Sequence, residues 1–91
     1  MTTKEKKLPD TGTDTQENSG KKLILFNDDI NTFDFVIEAL IEVCGHDPHQ
    51  AENCTLIAHF KGKCAIKSGT VRDLRPCYKA MILKQLIVEI Q

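Results

Sequence analysis

The chain has 91 residues, 41% of them hydrophobic and 27% charged, with a formal net charge of −1. Such a length holds one small domain with a modest surplus of buried apolar surface. The near-neutral balance lacks the basic excess by which a nucleic-acid binder declares itself, and apolar runs of four or five residues are too short to span a bilayer. The opening MTTKEKKLPD has no hydrophobic segment behind its basic residues, so no secretory signal is expected and the expected location is the cytoplasm.

Residues 1–20 are polar, with Lys, Glu, Thr, Asp, Gly, Pro and a single Leu. Too little apolar surface is on offer there to offset the ordering entropy, so a disordered extension is expected, followed by a folded core over 21–91. Leu23-Ile24-Leu25-Phe26 reads as a short strand, stopped by Asn27-Asp28-Asp29. Phe33, Val36, Ile37, Leu40, Ile41 and Cys44 then recur every three or four residues, opposite Asp34, Glu38 and Glu42. This is an amphipathic helix with Asn31 or Thr32 as N-cap and Gly45 as its stop.

Asp47-Pro48 starts a second helix, with Asp47 as cap and Pro48 in the first position, where its missing N–H costs nothing. Ala51, Cys54, Thr55 and Ala58 mark its buried face and Gly62 ends it. Cys64-Ala65-Ile66 reads as a strand before Ser68-Gly69. A third helix is expected to be capped by Asp73, which keeps Pro76 in the first turn. A cap at Thr70 would put that proline in the interior, at a cost of about 3 kcal/mol. Tyr78, Met81, Ile82 and Gln85 continue the helical period, and Leu86-Ile87-Val88-Glu89-Ile90 closes the chain as a β-branched strand. The order β-α-α-β-α-β predicts an α+β fold of two layers, a three-stranded antiparallel-type sheet packed against three helices.

Cys44, Cys54, Cys64 and Cys77 are spaced ten, ten and thirteen apart. With no secretory context, reduced and mostly buried thiols are expected rather than disulfides. The spacing lacks the close ligand pairs of a structural zinc site, and neither a nucleophile elbow nor a Gly-rich phosphate loop is present. No metal or cofactor is expected.

Two features remain that could carry chemistry. Asn27-Asp28-Asp29 sets an amide and two carboxylates at a strand end, where they can act as oxygen acceptors, although Asn and Asp are also common turn formers. Among His46, His49 and His59, the first two straddle the Asp47-Pro48 helix start and are expected to face solvent. His59, near a helix end, can make a specific hydrogen bond that depends on its protonation, or serve structure alone. Together these residues favour a binding module over an enzyme.

Leu23-Ile24-Leu25-Phe26-Asn27-Asp28-Asp29, followed by Thr32-Phe33-Asp34-Phe35-Val36, resembles the signature of the ClpS adaptor family, and the similarity runs on through Ala51, Ala58-His59-Phe60, Gly62-Lys63 and Ala80-Met81. The resemblance implies an N-degron reader, which grips the free α-amino group of a substrate, buries its bulky first side chain and hands it to a Clp-type ATPase. On that reading Asn27, Asp28 and His59 accept from the α-ammonium. His59 must then be neutral at the accepting nitrogen, so acid should weaken binding. Asp29 and Asn31 hold the substrate backbone and shape the loop, and Phe33, Val36, Thr55, Ala58 and Leu86 line the pocket. Asp73, with Tyr78 or Lys79, is the implied contact for the N-terminal domain of the ATPase. Phe33 and Thr55 stand where the family commonly has Met, Ala58 where it has Val and Asn31 where it has Thr, so the preferred first residue depends on this chain's own pocket.

Two other readings compete: an interaction domain of the same fold with an altered pocket, and a small hydrolase or metal-binding protein using Asp28, Asp29 and His59. Binding of the ATPase without binding of free N-termini would mark the first.

Overall fold

The computed structural model describes residues 20–91; nearly all of the extension expected over 1–20 lies outside them. The elements are β1 (Lys21–Phe26), α1 (Phe33–Cys44), α2 (Pro48–Lys61), β2 (Lys63–Gly69), α3 (Val71–Leu83) and β3 (Val88–Ile90). The strands form one antiparallel sheet in the order β2-β1-β3, which puts β1 at its centre. The expected α+β order is the observed one.

Leu23 and Leu25, two apart and so on one face of β1, meet Val36, Leu40, Ala51, Ala58, Leu74, Met81, Leu86 and Val88 in a single core between sheet and helices. The β1–β2 register slips between Leu23, opposite Lys67, and Ile24, opposite Ala65, leaving Ile66 as the extra residue of a bulge. Ile66 turns its side chain into the core.

Both early helices are punctuated as their sequence expects. Thr32 caps α1, accepting from the Phe35 N–H at 3.1 Å, and Gly45 ends it at a φ of 72°, a conformation that favours glycine. Asp47 caps α2, accepting from the Gln50 N–H at 2.9 Å, with Pro48 in the first turn and Gly62 at a φ of 96° beyond the end.

The third helix departs from expectation. Thr70, not Asp73, is its cap, and Asp73 is the third helical residue of a capping box. Thr70 Oγ1 accepts from the Asp73 N–H at 3.0 Å, and Asp73 Oδ2 accepts from the Thr70 N–H at 3.4 Å. Pro76 therefore sits inside the helix. It is exposed, as is Arg72, whose carbonyl loses the N–H it would have met, so water can satisfy that carbonyl. The last strand is shorter than its β-branched run suggests. Gln85, at a φ of 66°, turns the chain after α3; the Ile87 carbonyl accepts from the Phe26 N–H at 2.9 Å, and the strand itself runs from Val88.

Two further expectations are corrected. His46 is buried, 5% exposed, with Nε2 2.6 Å from the Ile66 carbonyl oxygen. That carbonyl only accepts, so Nε2 carries the proton, while Nδ1 is buried with no partner among the described residues. The turn at Gly45 and the bulge at Ile66 together direct the ring inward. The cysteines are not all free thiols either. Cys44 at the end of α1 and Cys77 on α3, with Cα atoms 5.9 Å apart, form a disulfide, and only Cys54 and Cys64 are free.

Candidate functional site

β1 ends where α2 ends. The Asn27 N–H donates to the Gly62 carbonyl at 3.0 Å, which pins the acidic turn beside the last turn of α2, where His59 lies. Capping by Thr32 then sends α1 off with Phe33 and Val36 facing the same space. The result is an open depression of about 300 Å3, its mouth included. Leu25, Phe26, Phe33, Val36, Thr55 and Ala58 provide apolar lining, and Asn27, Asp28, Asn31 and His59 a polar side.

The turn is held firmly. Asp28 Oδ1 accepts from the Ile30 N–H at 2.9 Å and the Asn31 N–H at 2.7 Å, and Oδ2 accepts from the Asn31 side-chain amide at 3.2 Å. Burial alone would push the Asp28 carboxyl up. The bonds from the Asn31 backbone, the Asn31 side chain and the Ile30 backbone outweigh that and hold it below the ordinary value. A carboxylate offers about four acceptor positions. Asp28 uses three of them inside the turn, which leaves room on Oδ2 for one more donor. Asn31 also donates to the Gln85 carbonyl at 3.2 Å and so ties the turn to the α3–β3 connection.

His59 is exposed at the mouth, its ring edge-on between Phe33 (centroids 5.0 Å apart) and Phe60 (4.9 Å). Thr55, though polar and buried, donates its hydroxyl to the Ala51 carbonyl at 2.8 Å and asks nothing of a ligand.

Of the residues singled out in the sequence, Asn27, Asp28, Asn31, Phe33, Val36, Thr55, Ala58 and His59 come together around this depression. Asp29 is exposed and stands outside the lining. Leu86, expected in the pocket, is buried in the central core instead, because the turn at Gln85 directs it under α3. Asp73 is engaged in its capping box, Tyr78 is half-buried against the core and Lys79 is exposed; all three are on α3, which gives nothing to the depression. Leu25 and Phe26 line the site unforeseen, although their place immediately before Asn27 was a usable signal. Among the described residues no group of three or more His, Cys, Asp or Glu side chains could hold a metal ion, and no helix is long and apolar enough to cross a membrane.

The fold and the sequence both recur among known proteins. The solved structure of Agrobacterium tumefaciens ClpS2 bound to L-phenylalaninamide shares the fold with a TM-score of 0.70 at 22% identity, over 78% of this chain and 93% of that one. The ATP-dependent Clp protease adapter protein ClpS of Nitratidesulfovibrio vulgaris is 32% identical over 78 residues, spanning 75% of this chain and 78% of that protein. The family profile for the ATP-dependent Clp protease adaptor protein ClpS matches residues 16–85. With most of its length inside that match, the chain belongs to the ClpS family of Clp protease adaptors.

Proposed function

We propose that this adaptor binds proteins whose first residue is bulky, hydrophobic and free at its α-amino group, and delivers them to a Clp-type AAA+ ATPase for degradation. The observation that carries the reading is one depression with two chemistries, acceptors on one side and apolar lining on the other. An α-ammonium seeks charge-assisted acceptors. Asn27, the spare position on Asp28 Oδ2 and the neutral nitrogen of His59 meet that demand. The side chain attached to the same carbon then enters between Phe33, Val36, Thr55 and Ala58, where burial contributes roughly 1.5–3 kcal/mol. Acetylating the amine removes the charge and adds bulk against Asp28. Asp29 and Asn31 border the path of the substrate backbone.

The fold neighbour bound to L-phenylalaninamide supports this reading, since that ligand couples an aromatic side chain to an α-amino group. Asp73, Tyr78 and Lys79 are the proposed contact with the N-terminal domain of the ATPase. Their place on α3, clear of the depression, leaves substrate and ATPase free to be held together. The adaptor itself performs no chemistry.

Reconstituted degradation tests the reading. With the Clp ATPase and peptidase of the source organism, adding the chain should accelerate loss of a reporter beginning with Leu or Phe and leave one beginning with Ser unchanged. Equal rates with and without the chain, when it is folded and bound to the ATPase, would favour the interaction domain with an altered pocket.

A further inference from the structure

Asp28 is fixed by three hydrogen bonds inside the acidic turn. His59, which lines the same depression, is exposed, and no hydrogen bond among the described residues ties its ring. Two aromatic rings touch it instead. Phe33, on α1, meets it with centroids 5.0 Å apart and planes at 73°, and Phe60 meets it at 4.9 Å and 77°. Both are edge-on contacts, which the charge distribution of aromatic rings favours. The second is not one that a helix supplies by itself. His59 and Phe60 are consecutive residues in the last turn of α2, and consecutive side chains leave a helix about 100° apart, without facing each other. The Phe60 ring is therefore folded back on its neighbour, and it stays 77% exposed in that position. A ring so exposed adds little to the core. Phe33 lines the depression and Phe60 does not, so Phe60 touches a group of the site without bordering the space a ligand would fill.

We propose that Phe60 is a positioning residue for ligand binding: its ring holds the His59 imidazole in the one rotamer that turns a nitrogen toward the α-ammonium of a substrate. The inference rests on the reading of the depression as a site for free N-termini. An untethered side chain has to be ordered when its ligand arrives, and that ordering weakens the complex. Edge contacts from Phe33 and Phe60 order the His59 ring beforehand, so the rotamer freedom is already given up in the free protein. Removing Phe60 leaves Phe33 alone against the ring and opens to it the solvent side that Phe60 occupied. The effect on a ligand then passes entirely through His59, because Phe60 lies outside the lining.

Two readouts on the full chain test this. The first needs no ligand: three-bond NMR couplings to the His59 Cγ report its χ1 in the free protein. One rotamer is expected in the unaltered chain, and averaging over several in Phe60→Ala. The second is the affinity for a labelled peptide that begins with Phe and has a free N-terminus. Phe60→Ala should bind it roughly three- to tenfold more weakly, at an unchanged Tm, and Phe60→Tyr, which keeps the ring, should bind as the unaltered chain does. In a His59→Ala background, Phe60→Ala should cause no further loss. A single His59 rotamer in Phe60→Ala would overturn the proposal. An equal loss of affinity in the His59→Ala background would also overturn it, because Phe60 would then be meeting the peptide itself. A chain that binds no free N-terminus, while its His59 rotamer still depends on Phe60, would overturn the N-terminus reading and the ligand role with it, and the couplings tell that failure from the first.

Discussion

Replacing Asn31 by Ala probes how the acidic turn is held. The substitution removes two side-chain hydrogen bonds, each 3.2 Å long, one to Asp28 Oδ2 and one to the Gln85 carbonyl. A neutral bond nets roughly 0.5–1.5 kcal/mol and a bond to a charged group roughly 1.5–3 kcal/mol. Asn31 is only half-buried, so water replaces the lost amide on both acceptors and the lower ends apply. The expected loss is about 1–2 kcal/mol, which for a domain of this size is a fall in Tm of roughly 5–10 °C. Asp28 should respond as well. The Asn31 side chain is one of the groups holding its carboxyl below the ordinary 3.8, so its pKa should rise in the variant. A carboxyl with a depressed folded pKa contributes stability that is present above its unfolded value and lost as pH falls through the folded one. The deficit of Asn31→Ala should therefore be full at neutral pH and shrink as pH drops below about 3.8. Thermal melts across pH, with an NMR titration of the Asp28 carboxyl carbon, measure both. An unchanged Tm together with an unmoved Asp28 titration would refute the reasoning, because the amide would then hold neither the turn nor the charge.

Pro76→Ala should raise stability by about 2 kcal/mol, since it restores a helical N–H to the Arg72 carbonyl at some cost in unfolded-state freedom. A lower urea midpoint for that variant would show that the proline ring makes contacts that matter more. Reducing the Cys44–Cys77 bond, which closes a loop with a sequence separation of 33, should remove about 3.7 kcal/mol by the chain-entropy relation. Urea unfolding with and without reductant reads this directly, and coincident curves would mean that the bond does not stabilise the fold.

The fold was largely legible because its punctuation is local. Asp47-Pro48 and Gly62 bracket α2 through capping and left-handed geometry that the residues themselves demand. Failures came where tertiary context outweighs local preference. The proline cost argued against a cap at Thr70, yet the capping box formed with Asp73, and solvent at Pro76 made the interior position tolerable. Nothing beside His46 announces that a bulge some twenty residues later will offer it the Ile66 carbonyl. Cys44 and Cys77 meet only because α1 and α3 pack together, and the compartment argument for reduced thiols does not see that. The depression was legible through the resemblance to a family pattern of residues rather than through spacing alone. Of the expected apolar lining, Leu86 is displaced into the core, after the turn at Gln85. Phe60, 77% exposed, packs edge-on against His59.

The most direct test of the central claim is fluorescence anisotropy of short labelled peptides beginning with Phe, Leu, Tyr, Trp or Ser, each with a free and an acetylated N-terminus. The account predicts tight binding to a free bulky residue, lost on acetylation and in Asp28→Ala or His59→Ala, with Ser-initiated peptides unbound. Folded protein that binds no free N-terminus, or that binds acetylated peptides as well as free ones, would contradict it.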